Sequence, residues 1–286
     1  MVGSGVQHSV PDATPTAVAN SPQITSDQFR RISDRVRATT GIVLKEHKSI
    51  MVQSRISRRL HALGFASFDD YMDFMDGPDG DTELQNFCNA ITTNLTSFFR
   101  ESHHFDHLEQ ELGQFASPTA PKLRIWSAGC STGEEPYCIS LILAKLLPNL
   151  EDKKILATDL DTAVLEHGKA GTYPAQKLEH IDQNFHRFIV RNPADGTFSF
   201  SQPIRDTIVF NSLNLLHKWP FEGPFDFVFC RNVLIYFDAK TKADLISRYA
   251  RILKPNGVLY LGHSETILED HPLLTVEGRT TYRKKV

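Results

Sequence analysis

The chain contains no apolar run approaching the eighteen or so residues that a membrane-spanning helix needs. Its start carries no basic stretch followed by an apolar core, so no secretory leader is expected. Cysteine is scarce: the four residues, at 88, 130, 138 and 230, form neither a C-x-x-C pair nor a zinc-ligand spacing. They read as reduced thiols in a cytoplasmic protein without a metal site. Positive charge is not in excess either, with 31 Lys and Arg against 34 Asp and Glu and a net charge of -3, which argues against bulk nucleic-acid binding. Hydrophobic residues at 41% and charged residues at 23% of 286 are ordinary for globular domains, and the length suffices for more than one core.

The charge that is present is unevenly spread. Residues 26–64 hold nine Lys/Arg against three Asp/Glu, so this stretch is +6 and the rest about -9. Such a face suits docking to an acidic protein partner. Residues 1–23, rich in Pro, Ser, Thr, Ala and Val and lacking aromatics, are expected to form a disordered tail. Ser26 is placed to cap a helix that stops at Gly41, and a second helix fits 46–63, ended by Gly64. Val52, Ile56, Leu60 and Leu63 fall on one stripe of that second helix, Lys48, Arg55 and Arg59 on the adjacent one, with Arg58 beside them. Shorter helices fit FDDYMDFMD and ELQNFCNAI, making 24–91 a small all-α domain. Residues 92–121 read as a connecting segment: TTNLTSFFR, a helix ESHHFDHLEQEL, then a Pro/Ser/Thr linker. His103, His104 and His107 have helical ligand spacing, but no third-ligand pattern accompanies them, and they read as a polar helix face.

From residue 123 onward, strand and helix patterns alternate. Strands are expected at 123–128, 154–158, 207–211, 225–231 and 257–262, with helices at 136–147, 162–168 and 241–253 and a final hairpin from LLTVEG and TTYRKK. The rhythm breaks at HRFIVRNPADGTFSFS, whose period-two alternation around Asp-Gly predicts an antiparallel ribbon. The fold class is therefore α/β, with a mainly parallel sheet over 122–286 and an inserted β-subdomain at about 172–206.

Two motifs carry chemistry. In LRIWSAGCSTGEEPY a strand runs into a turn of small residues and then a helix that begins with Glu134 and Glu135. The turn is not G-x-G-x-x-G, and two carboxylates at a helix start would repel a pyrophosphate, so a dinucleotide is disfavoured and a neutral or cationic nucleoside is favoured. KILATDLD follows, with Asp159 placed to accept from ribose hydroxyls and Asp161 to cap the next helix. Ligands of open α/β sheets lie beyond the carboxyl ends of the strands, where FDFVFCRNVLIYF supplies Arg231, Asn232 and Tyr236 and NSLNLL supplies Asn214.

Taken together, TTNLTSFFRESHHF, WSAGCSTGEEPY, ATDLD, FDFVFCRNVLIYF and LKPNGVLYLGHSE closely resemble the chemotaxis receptor methyltransferase (CheR) family over residues 26–286. The resemblance implies a class I methyltransferase-like domain preceded by an all-α domain, with S-adenosylmethionine as methyl donor and S-adenosylhomocysteine as product. The implied substrates are glutamate side chains on the cytoplasmic helical bundle of a chemoreceptor. It carries cofactor contacts onto Asn94, Thr96, Arg100, Glu135, Asp159, Asn214, Leu215, Arg231 and Asn232, and brings Arg100 and Tyr236 near the transferred methyl. Substrate recognition is expected from Arg55, Arg58 and Arg59, and the protein is expected to act as a monomer without nucleic acid or membrane insertion. The hairpin RNPADGTFSF is shorter than in members that grip a receptor-tail pentapeptide. The other function class weighed, a non-catalytic adaptor that senses the same ligands, would be free to lose Arg100 or Glu135. A methyltransferase acting on nucleic acid or small molecules is disfavoured by the acidic balance and the absence of an NPPY-like motif.

Overall fold

A computed structural model describes residues 23–115, 122–267 and 270–286. The expected tail and the Pro/Ser/Thr linker fall largely outside the described residues. The helical region comprises α1 (Ser26–Thr40), α2 (Ser49–Leu63), α3 (Phe68–Asp76) and α4 (Gly80–Ile91), with one 3₁₀ turn, Glu46–Lys48, leading into α2. Thr25, not Ser26, caps α1: its backbone is extended, its hydroxyl accepts from Gln28 N, and the Gln28 side chain returns the bond. Phe29, Ile32, Val36, Val52, Ile56 and Tyr71 belong to one core between these helices. Leu63, read as the end of the α2 stripe, is 42% exposed instead, at the last residue of the helix before Gly64.

The connecting segment then forms α5 (His103–Glu111), and the rest alternates: β1 (Leu123–Ala128), α6 (Glu134–Leu146), β2 (Lys153–Asp159), α7 (Thr162–Ala170), β3 (Thr172–Pro174), β4 (Ile189–Asn192), β5 (Thr197–Phe200), α8 (Gln202–Arg205), β6 (Ile208–Ser212), β7 (Phe225–Cys230), α9 (Ala239–Ile252), β8 (Leu253–Leu261), β9 (Leu274–Gly278) and β10 (Thr281–Lys284). The main sheet has seven strands in the order β6-β2-β1-β7-β8-β10-β9. Its first five are parallel neighbours and its last two antiparallel. β3, β5 and β4 make the separate antiparallel ribbon, whose third strand, β3, is too short to leave a sequence pattern.

Every residue of β7 is buried, as a strand covered on both faces requires. One face packs against α5, α6 and the ribbon through Phe105, Ile139, Tyr137 and Phe200. The other packs against α9, where Trp126 meets Trp219 edge-on at 4.7 Å and Tyr249 at 5.4 Å. From β1 the chain steps outward to β2 and β6, then crosses back to β7 on β1's other side. That reversal leaves a crevice beyond the carboxyl ends of β1 and β7.

Candidate active site

The crevice is a cavity of about 420 Å³. Its wall comes from both halves of the molecule: Thr40, Ile42 and Met51 from the helical region, the 91–97 stretch, and the ends of β1, β2, β6 and β7. Asn94, Thr96, Arg100, Glu135, Asp159, Asn214, Leu215, Arg231, Asn232 and Tyr236 all line it. Sequence positions up to 142 apart are thus gathered on one surface, from Asn94 to Tyr236.

The turn after β1 is shaped by sterics. Gly129 has φ 101°, and a Cβ there would stand 2.3 Å from Val233 Cγ2. Gly129 N and Cys130 N both donate to Thr158 O, folding the turn onto β2. Ser131 N then donates to Asp159 Oδ2 at 2.8 Å, while Asp161 N donates to Asp159 Oδ1 at 3.0 Å. Burial raises the Asp159 pKa, against the pull of these backbone donors. Each oxygen keeps a lone pair for a further donor.

The two acids that open α6 part company. Glu134 turns toward the ribbon and accepts from Lys177 Nζ and Thr132 Oγ1. Glu135 turns into the cavity, accepting from Ser127 Oγ at 2.6 Å and from Arg231 Nη1 at 3.1 Å. Burial raises its pKa, and Arg231 and Ser127 oppose that shift. The Arg231 side chain is almost fully buried and stacks over Phe105 at 5.3 Å.

Residues 92–101 strap the helical region to the sheet. Thr92 Oγ1 and Asn94 Nδ2 each donate to Asp161 Oδ2 at 2.7 Å, and Ser131 Oγ donates to Asn94 O at 3.0 Å. Asp161 caps α7 as expected, through Ala163 N at 2.9 Å, and its other oxygen fixes this strap. Arg100 Nη1 donates to Leu95 O at 2.8 Å, and Tyr236 O–H to Thr93 O at 3.3 Å. Burial pushes the Tyr236 pKa up, so its hydroxyl stays a donor. The Asn214 amide, expected to face a ligand's base edge, already donates to Thr39 O and accepts from Leu216 N, tying the loop after β6 to the end of α1. Phe98 packs edge-on against Tyr173 and Phe99 stacks on Phe185, so both are core residues as anticipated.

Two of the expected docking cations are engaged internally. Arg55 Nη1 caps the end of α4, donating to Ile91 O at 2.8 Å. Arg59 makes a two-pronged pair with buried Glu83, Nε to Oε1 at 2.6 Å and Nη2 to Oε2 at 2.8 Å. Arg58 is exposed. The histidines of α5 also depart from the expected polar face: His104 is fully buried against Thr280 Oγ1 at 3.0 Å, and His107 bonds Tyr260 O–H at 2.9 Å. His107, Glu111 and Glu277 do converge, but Arg283 already bridges the two carboxylates at 2.9 and 2.6 Å.

A parallel sheet closed by an antiparallel final hairpin, with carboxylates where a dinucleotide fold would bind phosphate, is the architecture of class I methyltransferases. Comparison with known proteins narrows this. Residues 94–283 match the model described as CheR methyltransferase, SAM binding domain, and residues 27–92 match the CheR methyltransferase all-alpha domain. The chain belongs to the CheR methyltransferase family. It is 40% identical over 263 residues to the chemotaxis protein methyltransferase of Escherichia coli, spanning 89% of each chain. With chemotaxis protein methyltransferase 2 of Pseudomonas aeruginosa it shares 39% identity over 280 residues, covering 96% of this chain and 99% of that one. Among the described residues, no helix is long and apolar enough to cross a membrane.

Proposed function

We propose that the protein transfers a methyl group from S-adenosylmethionine to glutamate side chains on the cytoplasmic region of a chemoreceptor, forming methyl esters. The observation that carries this reading is the cavity in which Glu135 and Asp159, both half-buried carboxylates, face Arg100, Tyr236 and Asn232. The donor set fits the cofactor. Glu135 suits its ammonium group, and Asp159, already oriented by two backbone N–H groups, suits the ribose hydroxyls. Asn94, Thr96, Asn214, Leu215, Arg231 and Asn232 complete the enclosure.

When bound, the cofactor supplies a methyl on a positively charged sulfur. A glutamate with pKa about 4.3 is ionised near pH 7 and needs no base to become a nucleophile. Its carboxylate oxygen forms the new O–C bond as the S–C bond breaks, leaving S-adenosylhomocysteine and an ester, with no proton to move. The protein's part is orientation and exclusion of water. Arg100 can hold a carboxylate and the Tyr236 hydroxyl can donate to one. The mouth bears exposed Val43, Leu95 and Ile235, with Leu95 81% exposed, and Lys48 beside them. That mixture suits the apolar surroundings and the negative charge of an acid-bearing helix. Arg58, on the outer face of α2, extends the basic surface.

The test supplies methyl-labelled S-adenosylmethionine together with receptor cytoplasmic fragments. Label is expected on the receptor and is expected to leave as methanol in mild base, because an ester hydrolyses and an N-methyl group does not. Base-stable label, or none, would overturn the proposal.

A further inference from the structure

Behind the cavity wall lies a carboxylate to which the motifs assigned nothing. Glu101 follows Arg100 in a left-handed backbone conformation, φ 56°, two residues after Phe99 at φ 52°. These conformations are disfavoured for non-glycine residues and persist only where the surroundings enforce them. The Glu101 side chain is held from several directions. Its Oε1 accepts from Asn232 Nδ2 and from His263 N, each at 3.3 Å. Its Oε2 stands 3.6 Å from Arg231 Nη2 and 3.7 Å from His104 Nδ1. Burial lowers the His104 pKa to about 3, so this ring is neutral and the charge facing Glu101 is that of Arg231.

Arg231 therefore sits between two carboxylates, with Glu135 on the cavity side and Glu101 on the far side. It also donates to Arg100 O. Glu101 itself is not among the lining residues. With Glu135 as its only partner, the guanidinium would neutralise that acid. Shared between two, it leaves a net negative charge whose open end is the cavity. The same side chain fixes Asn232, another wall residue with φ 60°, and fastens the strap just beyond Arg100.

We propose that Glu101 is a positioning residue: by sharing Arg231 with Glu135 it leaves the three-group cluster with a net negative charge facing the cavity, and holds it in place to grip the cationic amino-acid end of the ligand. This rests on the cavity taking S-adenosylmethionine. Its specific content is that Glu101 affects the amino-acid end of the ligand and leaves the nucleoside end alone.

Calorimetry on the full chain with two probes separates these ends. S-adenosylhomocysteine carries the ammonium, whereas 5′-methylthioadenosine has the nucleoside and thioether without it. Glu101→Gln keeps an acceptor for Asn232 and His263 N and removes the charge. It is expected to weaken S-adenosylhomocysteine about tenfold and to leave 5′-methylthioadenosine within about twofold. In a Glu135→Gln background the same change is expected to cost S-adenosylhomocysteine less than it does in the wild type, since the two acids act on the ligand as one cluster with Arg231. Glu101→Asp, which retains the charge, is expected to retain most of the affinity and serves if the glutamine variant does not fold. The proposal is overturned if Glu101→Gln matches the wild type, if both probes weaken equally, or if Glu101→Asp loses as much as Glu101→Gln. Wild-type protein that takes neither probe defeats the cofactor reading as well; wild-type binding with an unaffected Glu101→Gln defeats this one alone.

Discussion

Two arginine–glutamate pairs, Arg59–Glu83 in the helical region and Arg231–Glu135 at the sheet edge, each have one buried member, look alike as residue types and differ in their surroundings. Both oxygens of Glu83 are occupied: Oε1 by Arg59 Nε and Tyr71 O–H, Oε2 by Arg59 Nη2 and Asn86 Nδ2. Nothing is left over for a ligand. In the second pair, Arg231 has a buried Nε without a partner and a second carboxylate behind it, and both members line the cavity. The first pair is a closed scaffold and the second is poised for an incoming charge. Saturation of the hydrogen-bonding groups, more than charge or burial, separates them.

That contrast can be broken by experiment. The largest effect is expected from Arg59→Ala, which strands Glu83 without its partner. Denaturant unfolding is expected to register a loss of about 3 kcal/mol, centred on the helical region; a loss below about 1 kcal/mol would mean that Glu83 is not sealed. Next comes Asp159→Asn, which keeps the shape of the β2 terminus and removes the charge aimed at the ribose. Calorimetry is expected to record S-adenosylhomocysteine affinity lower by about tenfold to a hundredfold, with a lower melting temperature as well, because the amide nitrogen must face one of the two backbone N–H groups that Asp159 accepts from.

A smaller effect is expected with pH. The folded-state pKa values of Glu135 and Asp159 are raised, by burial first, so both groups stabilise the empty fold most in acid and lose that contribution as pH rises through their folded values. A cationic ligand needs the ionised forms. The thermal stabilisation given by S-adenosylhomocysteine is therefore expected to grow between about pH 4 and pH 7; a flat profile would remove the acids from the binding account. The smallest structural effect belongs to Arg58→Glu, on the exposed face of α2, with unfolding free energy within about 0.5 kcal/mol of wild type. Receptor methylation is expected to fall several-fold at unchanged S-adenosylhomocysteine affinity. Unaltered methylation would take α2 out of substrate docking.

Patterning along the chain predicted much of this architecture. β1 and α3 fall where apolar spacing placed them, and the ribbon appears where Asp-Gly interrupts the alternation. The partners of polar side chains were the illegible part. Arg59 and Arg55 look like a solvated stripe until α4, brought alongside by the hydrophobic core, presents Glu83 and the Ile91 carbonyl. Asp161 reads as a cap from local sequence, but its hold on Asn94 spans 67 positions and depends on how the two regions meet. Glu101 was passed over for the same reason: its neighbours Arg231 and His263 come from distant strand ends. Local preference reveals an element, whereas a charge declares its purpose only once long-range packing has chosen its company.

The cavity wall drawn from both halves has a consequence for the order of events in a working cycle. Met51 and Ile42 roof from one side what Asp159 and Arg231 floor from the other. A filled cavity then acts as mortar between two bricks: the halves will melt as one piece when it is occupied and show their separate tempers when it is empty.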